Sequence, residues 1–489
     1  MKRLRWILCF CLVAVSASAQ LTLHGLFTDH MVLQRDVPVP VTGRAAPGEA
    51  VTVSFGRQRV STVADQDGNW RVELKAMRAT SEPAALTAAG ETHTITLENI
   101  VVGDVWLCSG QSNMVWSLQQ CQSPAIPSAD FPLIRHFRVP PHASESVQTS
   151  VDGAWTVCSP QTAGGFSAVG FYFARRVQQE TGVPIGLINA AVGGTPIEPW
   201  IPPEGLDRIP EDRRTPARVH FTTSEWHQLY FGVIHPLTSF PVKGVLWYQG
   251  ESNAHFNEDA HREESYFLKK QALIESWRTA WRKGLAARRA PRDFPFYFVQ
   301  LAAFRPPSDN PEGGDAWAMI LMAQLRTLSV PHTGMAVAID LADPGNPGDI
   351  HPKNKRDVGE RLARWALTRD YGVRNLVYSG PLYRSMRVEG DRIRVQFDHS
   401  APGLMAATKQ GYEPAVEEPE GRLRRFAIAG ADRQWVWADA VIDGRSVVVS
   451  SPHVPEPVAV RYAFSMNPEG SNLYNRAGLP ASPFRTDDW

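Results

Sequence analysis

Four short segments of this chain place nucleophilic, basic and amide side chains directly after apolar runs. Gly110-Gln111-Ser112-Asn113-Met114 follows the run ending at Cys108. Gly110 permits a tight strand-to-helix turn. A serine there would sit at a helix N-terminus, where backbone amides point outward and can stabilise an oxyanion. Asn189-Ala190-Ala191-Val192-Gly193-Gly194-Thr195-Pro196 carries paired glycines, past which a backbone amide can approach a ligand closely. Trp247-Tyr248-Gln249-Gly250-Glu251-Ser252-Asn253 offers two side-chain amides, Gln249 and Asn253, as possible oxyanion donors, with Glu251 beside them to orient neighbours. Asp349-Ile350-His351-Pro352 sets an acid two residues before a histidine. In an extended segment both project to one side, so Asp349 could hold one imidazole nitrogen while the other faces Ser112. That is the equipment of nucleophilic acyl transfer. Read singly, each segment has a plainer meaning: a capping serine, an ordinary turn, a polar loop and a solvated Asp–His pair.

The elements around these segments decide whether they can meet. Short apolar runs recur at Val105–Cys108, Ile185–Ala190, Val245–Tyr248, Phe296–Leu301 and Gly334–Ile339. Helical periodicity lies between them at Val169–Glu180, Ser265–Trp281 and Asp357–Thr368. Strands alternating with helices predict a parallel sheet in a layered α/β unit, and continuous apolar runs suit strands covered on both faces. In such a sheet the ligand crevice lies outside the carboxyl ends of the strands, where all four segments would converge. Residues 20–102 and 371–489 read instead as β regions. Val51-Thr52-Val53, Trp70-Arg71-Val72, Ile393-Arg394-Val395-Gln396-Phe397 and Val447-Val448-Val449 are short β-rich runs between Gly, Asp and Pro turns. Residues 413–420 read as a Pro- and Glu-rich loop. The expected organisation is a β unit at 20–102, an α/β unit at 103–370 and a second β unit at 371–489.

Composition narrows the class. The 489 residues are 43% hydrophobic and 20% charged, with fifty Lys+Arg balancing fifty Asp+Glu. That balance predicts a packed core and, with no basic stripe, no nucleic-acid partner. Lys2, Arg3 and Arg5, the apolar run Trp6–Val15 and Ala17-Ser18-Ala19 form the three parts of a signal peptide, residues 1–19. The chain is therefore expected to be secreted or periplasmic after cleavage near Ala19. No run is long enough for a membrane span. Cys9 and Cys11 would leave with the leader, and of the remaining Cys108, Cys121 and Cys158 the better disulfide pair is Cys121 with Cys158.

Together the four segments resemble the SGNH hydrolase superfamily, and within it the sialate O-acetylesterase-like family. Asp29-His30-Met31-Val32-Leu33-Gln34-Arg35, Phe166-Ser167-Ala168-Val169-Gly170, His351-Pro352-Lys353-Asn354-Lys355 and Gly478-Leu479-Pro480-Ala481-Ser482-Pro483 carry the likeness along nearly the whole mature chain. The resemblance implies a flavodoxin-like three-layer α/β hydrolase domain with N-terminal and C-terminal β-sandwich-like appendages. It implies a cofactor-free and metal-free esterase for O-acetylated sugars. Ser112, His351 and Asp349 would be catalytic, and Ser112, Gly193 and Gln249 would form the oxyanion hole. Asn113, Gly194, Glu251, Asn253, Trp116 and Trp200 would bind substrate or support the site. Two features depart from the wider superfamily. One residue, not two, separates Asp349 from His351, so Asp340 and Asp343 are the other acids to consider. Gln249 stands where an asparagine is usual, with Asn253 the second candidate donor. Two rivals remain: a non-catalytic carbohydrate-binding protein with many tryptophans, and a metalloenzyme using His351, Asp349 and Asp343, which lacks an H-E-x-x-H or C-x-x-C signature.

Overall fold

The computed structural model describes residues 20–219, 222–223, 225–256, 259–285, 293–343 and 345–489. The predicted leader at 1–19 lies outside them. One strand, Thr94–Gly110, ties the molecule together. Its first half alternates in exposure and pairs antiparallel with Thr80–Ala89, while Val32–Gln34 runs parallel to its middle. From Ile100 onward it is continuously buried and becomes the centre of a parallel sheet. Position 102/103 therefore falls inside a single strand.

That sheet orders Trp155–Cys158, Phe131–Arg138, Ile185–Ala191, Thr94–Gly110, Gly244–Tyr248, Phe296–Gln300 and Thr333–Val337 from one edge to the other. All neighbours are parallel except the first pair. Helices Ala168–Thr181 and Lys355–Arg369 pack together on one face, and Arg262–Gly284 and Ala316–Arg326 pack together as a second pair. The architecture is thus the expected α/β sandwich with β appendages. Strand Phe131–Arg138 lies outside the expected apolar runs, because Pro132 and Arg135 mask its pattern. Arg135 is nevertheless satisfied, donating to the carbonyls of Pro132, His30 and Asn99.

The C-terminal appendage holds three small sheets, two of which close over a core of Ile393, Val395, Phe426, Ile428, Val449 and Phe484. Within residues 413–420, taken as loop, Val416–Glu417 forms a short strand against Ala407–Thr408. The expected Cys121–Cys158 disulfide is absent: Cys108, Cys121 and Cys158 are all free and buried. The Cys158 thiol donates to the Ala129 carbonyl at 3.4 Å, and burial pushes the Cys121 thiol up to about 11. Among the described residues no helix is long and apolar enough to cross a membrane.

Candidate active site

The nucleophile segment begins where Gly110 ends its strand. Gly110 has φ +127°, and a Cβ there would lie 2.1 Å from the Tyr248 carbonyl oxygen of the adjacent strand. Only glycine allows that approach, which turns the chain sharply into the short helix Ser112–Val115. The N-cap Gln111 makes no side-chain cap bond, so no capping side chain takes up the first amides of this helix. A Cβ on Gly193 would sit 3.6 Å from the Ser112 Cβ, which places the glycine pair directly across from the serine.

The base arrives on the loop before helix Lys355–Arg369. His351 Nε2 lies 2.9 Å from Ser112 Oγ. Asp349 Oδ1 lies 3.4 Å from His351 Nδ1 and accepts the His351 backbone amide at 2.9 Å. The carboxylate therefore fixes the loop tightly and contacts the imidazole more loosely. Trp116 stacks on the His351 ring at 4.4 Å and 12°. The His351 pKa is lowered, first by burial and then by the nearby Lys355 charge, against the pull of Asp349.

The other candidate acids are spent elsewhere. Asp340 forms a bidentate pair with Arg361 at 2.6 and 2.7 Å and also accepts from the Tyr474 hydroxyl. Asp343 Oδ1 accepts the Gly345 amide and shapes its own turn. Among the described residues no group of three or more His, Cys, Asp or Glu is placed to hold a metal ion.

Asn113, beside the nucleophile, is buried and fully bonded. Its Nδ2 donates to Glu251 Oε1 at 2.5 Å and to the Ile350 carbonyl at 3.0 Å. Its Oδ1 accepts from Lys355 Nζ at 2.6 Å. Lys355 also donates to the Pro352 carbonyl at 2.6 Å. One amide thus clasps the loop carrying His351 to the turn carrying Ser112. Burial raises the Glu251 carboxyl and pushes the Lys355 ammonium down to about 8. Lys355 has no role in the sequence reading beyond its place in His351-Pro352-Lys353-Asn354-Lys355. The signal for it is a lysine at the start of a helix, where a cation is unfavourable unless something claims it.

Gln249 and Asn253 differ from expectation. Gln249 is fully buried, and its Nε2 donates to Asn253 Oδ1 at 2.7 Å and to the Thr195 carbonyl and Gln111 Oε1 at 3.3 Å. Its Oε1 accepts from the Tyr266 hydroxyl at 2.8 Å. Both amide hydrogens are already engaged within the scaffold, so the geometry does not present Gln249 to an oxyanion. Asn253 is engaged likewise: its Nδ2 donates to Glu198, and its Oδ1 accepts the Ile197 amide at 2.9 Å. Glu198 in turn forms a buried ion pair with Lys269 at 2.8 Å. Ser252 Oγ donates to the Gly194 carbonyl at 2.9 Å. These side chains hold the Gly193–Ile197 turn in place. Trp200 also differs from expectation. It is fully buried, edge-on to Trp247 at 5.9 Å, with its indole N–H donating to Thr195, and so it has no face for a sugar.

The C-terminal appendage reaches this site. Asn354 caps helix Lys355–Arg369 and also donates to the Gly411 carbonyl at 2.8 Å, while the Tyr412 hydroxyl donates to the Lys353 carbonyl at 3.2 Å.

Known proteins are similar to this chain along most of its length. Sialate O-acetylesterases of Homo sapiens and Mus musculus are each 29% identical to the chain, over 96% of it and over 93% and 95% of their own lengths. The crystal structure of a carbohydrate acetylesterase from Xanthomonas citri matches 96% of the chain and all of its own, with 39% identity and a TM-score of 0.84. The protein is a carboxylic ester hydrolase of carbohydrate-esterase type. More narrowly, it belongs to the carbohydrate esterase, sialic acid-specific acetylesterase family, whose model matches residues 102–368.

Proposed function

We propose that the chain is a secreted O-acetylesterase that releases acetate from acetylated sugars through an acetyl-Ser112 intermediate, with residues 103–370 as its catalytic unit. The observation that carries this is the 2.9 Å contact between Ser112 Oγ and His351 Nε2, just past the carboxyl end of the central strand Thr94–Gly110. His351 Nε2 takes the hydroxyl proton as Oγ bonds to the acetyl carbon. The Ser112 and Gly193 amides stabilise the oxyanion. The same nitrogen returns the proton to the departing sugar oxygen, and water activated by His351 then releases acetate and restores Ser112. Asp349 keeps the proton on Nδ1 and stabilises the imidazolium. Gln249 and Asn253 act as positioning residues for the glycine turn. Secretion rests on the basic, apolar and small-residue order of residues 1–19.

The substrate reading is a sialate O-acetyl ester, following the names of the vertebrate relatives, and 9-O-acetyl sialic acid is the ester proposed first. Acetylated xylan or another glycan is the second reading, favoured by the higher identity to the Xanthomonas citri carbohydrate acetylesterase. Acetate release from 9-O-acetyl sialic acid, acetylated xylan and an aryl acetate, with Ser112→Ala as control, tests both. Release by wild type from none of them overturns the esterase reading. Release from xylan alone overturns the first substrate.

A further inference from the structure

Helix Glu251–His255 begins just past the carboxyl end of strand Gly244–Tyr248. Residues four apart on a helix share a face, so His255 projects on the side of Glu251, about 6 Å further along the axis. That side meets the His351 loop, because Asn113 bonds both Glu251 Oε1 and the Ile350 carbonyl. Unlike Glu251, His255 is exposed.

Arg305 reaches the same loop from the next strand, on the segment that follows Phe296–Gln300. Its backbone is left-handed, with φ +69°. A residue with a Cβ keeps that conformation only where its surroundings fix it. Here both backbone groups are held. The Arg305 amide donates to the Pro347 carbonyl at 2.6 Å, and the Arg305 carbonyl accepts from the Asn467 side-chain amide at 2.6 Å. The chain from Pro347 to His351 spans no more than roughly 14 Å even when extended. Arg305 is thus pinned beside the loop that carries the base.

The Arg305 side chain is exposed, and its guanidinium lies 5.6 Å from the centre of the Phe304 ring. Its charge is felt at His255, whose pKa is lowered first by burial and then by Arg305. Among the described residues neither side chain forms an ion pair or a hydrogen bond. Asp309, an acid of the same segment, is turned to the C-terminal appendage, where it accepts from the Trp437 indole and lies 3.7 Å from Arg425. Arg305 therefore keeps an uncompensated charge with an imidazole near it. The guanidinium fork matches the two oxygens of a carboxylate, and a neutral imidazole offers one further N–H. A neutral glycan has no group for this pair. An acetylated sugar that also bears a carboxylate does.

We propose that Arg305 and His255 form a carboxylate subsite beside the Ser112–His351 pair, so that the substrate is an acidic acetylated sugar. That the bound sugar is also a substrate rests on the esterase reading; the anion recognition does not. Sialic and hexuronic acids share this chemistry. Calorimetric titration of Ser112→Ala protein with 9-O-acetyl sialic acid, an O-acetylated hexuronic acid and the methyl ester of each measures recognition without turnover. In one pair the free acid should bind about fivefold or more tighter than its methyl ester, the upper range for an exposed ion pair, and that pair names the sugar. The preference should shrink as salt is raised. Arg305→Asn removes the charge with a residue that tolerates a left-handed backbone, and it should bring acid and ester to equal affinity. With Ser112 intact, Arg305→Asn should raise KM on the free acid more than it lowers kcat. Should the asparagine variant fail to fold, Arg305→Gly replaces it. Equal affinity for acid and ester in both pairs overturns the proposal. So does a preference that Arg305→Asn retains, or one that salt leaves unaltered in protein with Arg305 in place. Failure of the esterase reading shows separately, as no aryl-acetate hydrolysis by the wild type while the acid is still preferred in binding.

Discussion

Replacing Asn113 by alanine removes no reacting atom, yet it should cost both activity and stability. Three buried partners lose their bond: Glu251 Oε1, the Ile350 carbonyl and Lys355 Nζ. A buried polar group left unsatisfied costs about 1–3 kcal/mol, and more when charged. Three of them bound the stability loss at roughly 3–9 kcal/mol, toward the lower end where water fills the gap. At about 2 °C per kcal/mol for a chain at the upper end of domain size, the melting temperature should fall by roughly 6 °C or more. The kinetic effect runs through Ile350, which sits between Asp349 and His351. Without its clasp the loop can shift, and a displacement of about 1 Å at a reacting group costs on the order of 10²-fold. The effect should fall on kcat and spare KM, because Asn113 is only 2% exposed. Steady-state kinetics on an aryl acetate and a thermal melt measure both. A kcat within threefold of wild type alongside a lowered melting temperature would refute the reasoning, since the loop would then hold its place without the clasp.

Four further substitutions separate the roles of these residues. Ser112→Ala should lower kcat by at least about 10⁴-fold with an unchanged melting curve, and retained turnover would remove it as nucleophile. Asp349→Asn should lower kcat between about 10²- and 10⁴-fold, whereas Asp340→Asn, which breaks the Arg361 pair, should cost about 3–5 kcal/mol of stability and little turnover. The opposite pattern in kcat and melting temperature would move the acid to Asp340. Lys355→Met should shift the acid limb of the kcat/KM profile to higher pH. The Lys355 charge lowers the His351 pKa, so its loss raises that pKa, and a base that must be neutral then fails at a higher pH. A limb that stays fixed or moves down refutes this.

The elements that position the site are legible from pattern alone because they are buried on both faces. Val105–Cys108, Ile185–Ala190 and Val245–Tyr248 are short continuous apolar runs, and each lies within an observed strand. Ser112 and His351 announce themselves by type and by position after such elements. Of the supporting network, Asn113 and Glu251 are expected as site residues but Lys355 is given no role. All three are polar residues whose burial depends on partners distant in sequence, so no local pattern marks them as interior or shows what they bond. Gln249 illustrates the converse. Its place at a strand end suggests an exposed donor, but the tertiary fold brings Tyr266, Thr195 and Asn253 around it and turns the amide inward. Trp200 misleads for the same reason, since Trp247 and the Thr195 hydroxyl enclose it.

The two halves of the site are held by different means. Ser112 and the glycine turn grow directly out of the buried parallel sheet, with Gly110 pressed against the Tyr248 carbonyl, so their positions are set by strand register. His351 has no strand beneath it. Its loop is fixed by side-chain bonds: Asn113 from the nucleophile turn, Lys355 from the helix that follows, and Asn354 and Tyr412 through the C-terminal appendage. A loop secured by discrete polar contacts is less stable locally than a sheet interior. The base side should therefore loosen first under denaturant or heat, before the parallel sheet unfolds. On this reasoning the C-terminal appendage is part of what keeps His351 2.9 Å from Ser112, because two of the loop's anchors end on it.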